Sequence, residues 1–129
     1  MKNEKQVVSI KGAAAPASPL SPAITYGNLI FVSGTVSMDL VTRKPLPGTI
    51  EEETEQVLKN IETLLKEAGS SLDCVLKVTV FLPDINDFAK MNGVYRKYFP
   101  NMPPARSTVG IKLAGPSRVE IEAIAYKPS

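Results

Sequence analysis

The sequence predicts an α+β domain in which strands and helices follow the order β-β-β-α-β-α-β-β. Three observations predict it. Two stretches, opening at Thr49 and near Asp84, repeat apolar side chains at helical spacing and end at a Gly or a Pro. Short apolar or alternating runs bounded by Gly, Pro and Asn occupy much of the remainder. The chain has 129 residues, of which 43% are hydrophobic and 22% charged, the length and composition of one globular domain with one core, residues 1–129.

The elements follow in order. Gln6 to Ile10 is a short strand. The segment from Gly12 to Ala23 carries Pro16, Pro19 and Pro22, which exclude helix and central strand. It is too short and too near the end to link two domains, so it is expected to lie extended over the surface or across a subunit boundary. Thr25-Tyr26 leads to Gly27-Asn28, a hairpin signal, and then to the strand Leu29 to Val36. That strand is apolar on both faces up to Ser33, the pattern of a strand buried on both sides. A chain with two helices cannot cover both faces of its own sheet, which points to oligomerisation.

Val41 to Gly48 is a loop with Pro45 and Pro47. Thr49 and Glu52 have capping-box spacing, and Glu51 to Glu53 suit the positive end of a helix dipole. Ile50, Val57, Ile61, Leu64, Leu65 and Ala68 trace one face, and Gly69 stops the helix. Leu76 to Leu82 is a strand ending at Pro83. Asp84 to Asn86 can cap a second helix whose Phe88, Met91, Val94, Tyr95 and Tyr98 or Phe99 recur at helical spacing, and Pro100 ends it. Pro103 and Pro104 keep the chain extended into Ala105 to Val109, and a Gly115-Pro116 turn leads to the final strand, Arg118 to Tyr126.

Composition excludes several functions. The formal charge of +2 and the pI of about 8.7 come from scattered Lys and Arg residues, which is no nucleic-acid footprint. No apolar run approaches the roughly 20 residues of a membrane helix. Met1 to Val8 holds no leader-like apolar segment, and a single cysteine, Cys74, fits a reducing cytoplasm. Cys74 reads as buried filler. There is no histidine, so acid–base chemistry falls to a carboxylate, a tyrosine, a lysine or water, and histidine or thiolate metal sites are excluded. The Glu51 to Glu53 run reads as a solvated helix start.

Pro104-Ala105-Arg106-Ser107 and Val119-Glu120-Ile121-Glu122-Ala123-Ile124-Ala125 resemble the RidA/YjgF/UK114 family. So do Gly27-Asn28-Leu29-Ile30, Val32-Ser33-Gly34, Glu67-Ala68-Gly69, Lys77-Val78-Thr79-Val80-Phe81, Asn86-Asp87-Phe88 and Asn92-Gly93-Val94-Tyr95, so that the likeness spans nearly the whole chain. The resemblance implies a chorismate-mutase-like fold, a mixed sheet backed by two helices. It also implies a homotrimer with its sheets inside and ligand sites in the clefts between subunits. Its best-studied members are 2-iminobutanoate/2-iminopropanoate deaminases; others have been labelled translation inhibitors or endoribonucleases. No metal or organic cofactor is implied.

Carried over residue by residue, the resemblance makes Arg106 the anchor for a substrate carboxylate, a role that its paired donors suit. Glu120 becomes the group that orients and deprotonates water and returns a proton. The two lie on consecutive strand-like segments, so they could sit close together; the competing reading is a structural ion pair. Burial would raise the Glu120 pKa and a nearby Arg106 would lower it. Ser33 and Gly34 match a ligand-contacting Ser-Gly, or else mark a bulge. Asn92 matches a cleft asparagine, or else lies on the helix surface or in a subunit contact. Thr108, two residues after Arg106, stands where deaminases often have cysteine, on the Arg106 side if the segment is a strand. Leu20 departs from the pattern: Ser18-Pro19-Leu20 stands where deaminases read Gly-Pro-Tyr, and leucine lacks the hydroxyl that lines the pocket. Tyr26 is too far along to replace it and reads as a packed aromatic.

The resemblance therefore leaves three functional expectations. The first is hydrolysis of 2-imino or enamine acids to 2-oxo acids and ammonia. The second is non-catalytic binding of 2-oxo acids in the same cleft, and the third is a ribonuclease.

Overall fold

The computed structural model describes residues 4–129. Met1 to Asn3, which open the segment read as lacking a leader, lie outside the described residues. Six strands and two helices follow in the expected order: β1 (Gln6–Val8), β2 (Ala23–Tyr26), β3 (Leu29–Thr35), α1 (Ile50–Glu67), β4 (Val75–Leu82), α2 (Phe88–Tyr98), β5 (Ala105–Gly110) and β6 (Glu120–Tyr126). Short 3-10 turns at Leu72–Cys74 and Ile85–Asp87 precede β4 and α2.

Local signals set the element boundaries. Gly27, at φ 60, takes the first central place of the two-residue turn between β2 and β3, where a II′ turn requires the left-handed region. Thr49 Oγ1 accepts from Glu52 N at 3.1 Å while Glu52 Oε1 accepts from Thr49 N at 2.9 Å, closing the capping box. Ala68 is the C-cap, and Gly69, one residue beyond it at φ 83, lets Ser70 N return to Leu65 O. Asp84 caps the 3-10 turn rather than α2, since its Oδ1 accepts from Asn86 N at 3.0 Å. Three strands are shorter than expected: β1 ends at Val8, β3 ends at Thr35 and β6 begins at Glu120.

The sheet order is β1-β2-β3-β6-β4-β5, antiparallel throughout except for the parallel pair β4–β5, which α2 connects. Inward side chains of the sheet, Ile30, Val32, Val78, Val80, Ile121 and Ala123, meet Val57, Leu58, Ile61, Leu64 and Leu65 of α1 in a single buried cluster that Met91 and Tyr95 of α2 extend. Cys74 is buried at the edge of this core.

Only one sheet face is covered. In β3, Ile30 and Val32 are buried against the helices, but Leu29 and Phe31 are 37% and 41% exposed, so the expectation of burial on both sides does not hold within one chain. Phe31 pairs with Ile24 and Ile124, and Leu29 with Tyr26, all on this open face. Tyr26 is 53% exposed there, so it is not a packed aromatic. The open face thus carries Tyr26, Leu29, Phe31 and Ile124 as exposed apolar neighbours, with Lys77, Thr79 and Glu122 beside them.

A second correction concerns the acidic start of α1. Glu51 and Glu52 are solvated, but Glu53 is 3% exposed. Its carboxylate accepts from Gly48 N at 3.1 Å and from Arg118 N at 3.0 Å, and Arg118 Nε lies 4.0 Å away and donates to Gly48 O. The group ties the α1 entry loop to the chain just before β6.

Candidate functional site

The residues singled out in the sequence fall into two groups, one on each side of the sheet. The first is built around Arg106. In β5, Arg106 and Thr108 stand in register with Val78 and Val80, whose side chains face the helices, so both point to the α2 side. The Arg106 guanidinium carbon lies 4.6 Å from the centre of the Tyr95 ring and 5.8 Å from that of Phe88. The two rings, seven residues apart, sit on one face of α2. They hold the cation by their quadrupoles without consuming its donors. Arg106 makes no ion pair among the described residues.

A cavity of about 270 Å³ opens over it, lined by Asn92, Tyr95, Arg96, Pro103, Pro104 and Arg106 among others. Pro103 and Pro104 enter β5 extended, which sets Arg106 at the cavity wall. Asn92 is half-buried in that wall and its side chain makes no hydrogen bond among the described residues. The Thr108 hydroxyl is buried without a partner, and the Tyr95 hydroxyl, close to the guanidinium, meets no well-oriented acceptor or donor. Burial pushes the Tyr95 phenol up, against a smaller opposing pull from Arg106. The cavity wall thus carries the guanidinium and one unmet hydroxyl, that of Tyr95.

The second group surrounds Glu120. At the start of β6 its side chain lies on the open face, paired across with Phe81. The β3–β6 register shifts between Val32 and Thr35, so Ser33 and Gly34 form the bulge that was one of the two readings. Gly34 leaves room for the Glu120 carboxylate as it stands: a Cβ there would overlap it and make that side chain shift. Burial, and then the neighbouring Glu122, raise the Glu120 pKa above the usual carboxylate range. Ser33 N donates to Pro22 O at 3.0 Å and its hydroxyl to Ser21 O at 2.5 Å, so the hydroxyl anchors the proline-rich segment and keeps only acceptor capacity for a ligand. Leu20, 46% exposed, shares a small cavity with Ser33, Gly34 and Arg43.

Arg106 and Glu120 do not meet within one chain. β4 lies between β5 and β6, and the two side chains leave opposite faces of the sheet. The expectation of proximity from consecutive strands fails because β6 pairs between β3 and β4 instead of extending the edge beyond β5. Arg106 accordingly contributes nothing to the Glu120 pKa. The structural ion pair fails for the same reason. Phe88, Tyr95 and Glu122 went unassigned in the sequence: the two aromatics read as core positions of α2, though their seven-residue spacing was a usable signal.

Comparison with known proteins agrees with this architecture. The family model described as Endoribonuclease L-PSP matches residues 11–127. A RutC family protein of Pyrococcus abyssi is 48% identical over 124 residues, covering 95% of this chain and 98% of the relative. A mouse 2-iminobutanoate/2-iminopropanoate deaminase is 41% identical over 124 residues, covering 95% of this chain and 92% of its own length. The crystal structure of yeast Mmf1 superposes with a TM-score of 0.89 at 40% identity, covering 97% of this chain and 100% of that one.

Proposed function

The chain belongs to the Endoribonuclease L-PSP family, the RidA/YjgF/UK114 group, and from that premise we propose that it hydrolyses 2-imino and enamine acids to 2-oxo acids and ammonia. The observation that carries this reading is Arg106, a cation caged by two aromatic rings, facing a cavity, with no acidic partner. Such a guanidinium offers two parallel donors to a planar carboxylate.

The reaction needs a second group. Water adds to the C=N carbon while Glu120 takes one of its protons and returns it to nitrogen, giving a tetrahedral amino alcohol. Glu120 then takes the proton of the new hydroxyl and delivers it to nitrogen as the C–N bond breaks, so that the carbonyl forms and ammonia leaves. Burial, and then Glu122, raise the Glu120 pKa, which makes the carboxylate a stronger base toward water than an ordinary one. Gly34 and Ser33 border the water, and Asn92 and Thr108 the substrate side.

The two half-sites come together between copies of the chain, Arg106 from one and Glu120, Ser33, Gly34 and Leu20 from the next. The apolar open face of β3 and β6 supplies the contact, and a closed ring of three is the assembly proposed, each copy a single domain over residues 1–129. No described helix is long and apolar enough to cross a membrane, and a cytoplasmic location is proposed.

Leu20 supports a second reading, non-catalytic binding of 2-oxo acids, because the leucine removes a hydroxyl from the pocket edge. A ribonuclease is disfavoured by the absence of histidine and the net charge of only +2.

The test generates 2-iminopropanoate with an amino-acid oxidase and traps it with semicarbazide. The protein should reduce the trapped product and Arg106→Ala should not. If micromolar wild type leaves trapping unchanged for several imines, the deaminase reading is wrong, and keto-acid binding by calorimetry would support the binder.

A further inference from the structure

A cavity of about 450 Å³ shares a wall with the cavity that holds Ser33 and Gly34. Its walls come from the proline-rich segment, from Val7 and Ile10, and from Leu40 and Leu64. Leu20, Pro22, Leu40, Arg43 and Leu64 also line the small cavity that holds Ser33 and Gly34, so the two spaces share one wall. Two cations, Lys11 and Arg43, face the larger cavity and no acidic residue does.

Arg43 is the informative member. It sits at φ 62, in the left-handed region that favours glycine, closing the loop between Met38 and Pro45. Arg43 N donates to Asp39 O at 2.7 Å, and Asp39 N to Lys44 O, so the backbone holds the residue there. The Asp39 carboxylate is turned into its own loop, accepting from Val41 N and Thr42 N at 2.8 and 2.9 Å. Among the described residues the Arg43 side chain has no ion pair and no hydrogen bond. A half-buried arginine, with its backbone held in the left-handed region and its side chain unpaired among the described residues, thus lines both the cavity at the Ser33–Gly34 bulge and one large enough for a ligand of many atoms.

We propose that Arg43 receives a second, distal anion of the substrate, so that the site prefers 2-imino acids carrying a terminal carboxylate over those with a short apolar side chain. The proposal deepens the hydrolytic reading and rests on it. Arg106 of one copy holds the carboxylate next to the C=N carbon, and Arg43, which shares a cavity with Ser33 and Gly34 on the next, holds the far one. Leu20 belongs with this arrangement, since it replaces a hydroxyl at the edge shared by the two cavities with an apolar wall for the intervening methylenes. The distal carboxylate takes no part in the bond changes: water still supplies the carbonyl oxygen, and ammonia still leaves.

Arg43→Gly is the variant of choice, because glycine adopts φ 62 freely and the fold should keep its melting temperature. Imines are generated in situ from L-glutamate and from L-alanine with the corresponding oxidases. The ratio of kcat/KM for the glutamate-derived imine over the alanine-derived one should exceed one in the wild type and fall at least tenfold in Arg43→Gly. In parallel, calorimetry should show 2-oxoglutarate binding at least tenfold tighter than pyruvate, a preference lost in the variant. An unchanged ratio, or an equal fall for both imines, overturns the proposal. If neither imine is hydrolysed, the deaminase reading fails, and the calorimetric preference alone decides the role of Arg43.

Discussion

Arg106 stands near the start of β5 and Arg118 just ahead of β6, and their surroundings differ in kind. Arg118 finds its partners inside the chain: its Nε donates to Gly48 O at 2.8 Å, and its backbone amide to the buried Glu53. Arg106 finds only aromatic faces, Tyr95 and Phe88, which fix its position and leave its donors unspent. A guanidinium satisfied by its own chain is structural. One held by rings beside unpartnered hydroxyls is prepared for something outside the chain.

That contrast can be broken by substitution. Arg106→Ala should lower kcat/KM about 10²- to 10³-fold with little change in melting temperature, and Arg106→Lys should not rescue it, because an ammonium cannot present two parallel donors. Steady-state kinetics beside a thermal melt reads both quantities. A large fall in melting temperature would place Arg106 with Arg118 as a structural residue.

Glu53→Ala should do the reverse. It leaves the part-buried Gly48 and Arg118 amides without their acceptor, costing about 2 kcal/mol, which lowers the melting temperature by roughly 7 °C in a domain of this size. Turnover per folded molecule should hold, as measured by activity at a temperature well below the transition.

The Glu120 carboxyl gives a smaller, pH-dependent test. Burial and Glu122 raise its pKa, so the acid limb of kcat/KM should lie above the ordinary carboxylate range, and Glu122→Gln should move it to lower pH. The same shift bears on stability. The folded carboxyl keeps its proton to higher pH than the unfolded one, so its contribution is fully present below the unfolded pKa and is lost as pH rises through the folded value. Melts across that window should show less of this loss in Glu122→Gln. An acid limb that does not move would remove Glu120 from the proton path.

The smallest effect belongs to Arg118→Ala. Its side chain is 57% exposed and 4.0 Å from Glu53, so the loss should stay below about 1 kcal/mol in a denaturant titration.

What the sequence revealed and what it hid divide by range. The Thr49–Glu52 box, the Gly27 turn and the shared side of Arg106 and Thr108 depend on residues within a few positions, and all three appear as expected. The burial of Glu53 depends on Arg118, 65 residues away, so a local reading of the acidic run saw only a solvated helix start. The separation of Arg106 from Glu120 depends on strand order, since β6 enters between β3 and β4, and adjacency in sequence carries no information about that insertion. The uncovered apolar face was foreseen because it needs only a count of helices against sheet faces.

The claim on which everything else turns is that the site is shared between copies. Arg106→Ala and Glu120→Gln chains, each inactive alone, should be co-expressed or unfolded and refolded together, and imine hydrolysis assayed on the mixture. Random assembly gives about a quarter of the clefts an intact Arg106 from one chain and an intact Glu120 from its neighbour, so activity should return to about a quarter of the wild-type level. Activity that stays at the level of the separate variants in mixed oligomers, or a monomer mass by light scattering, would contradict the account.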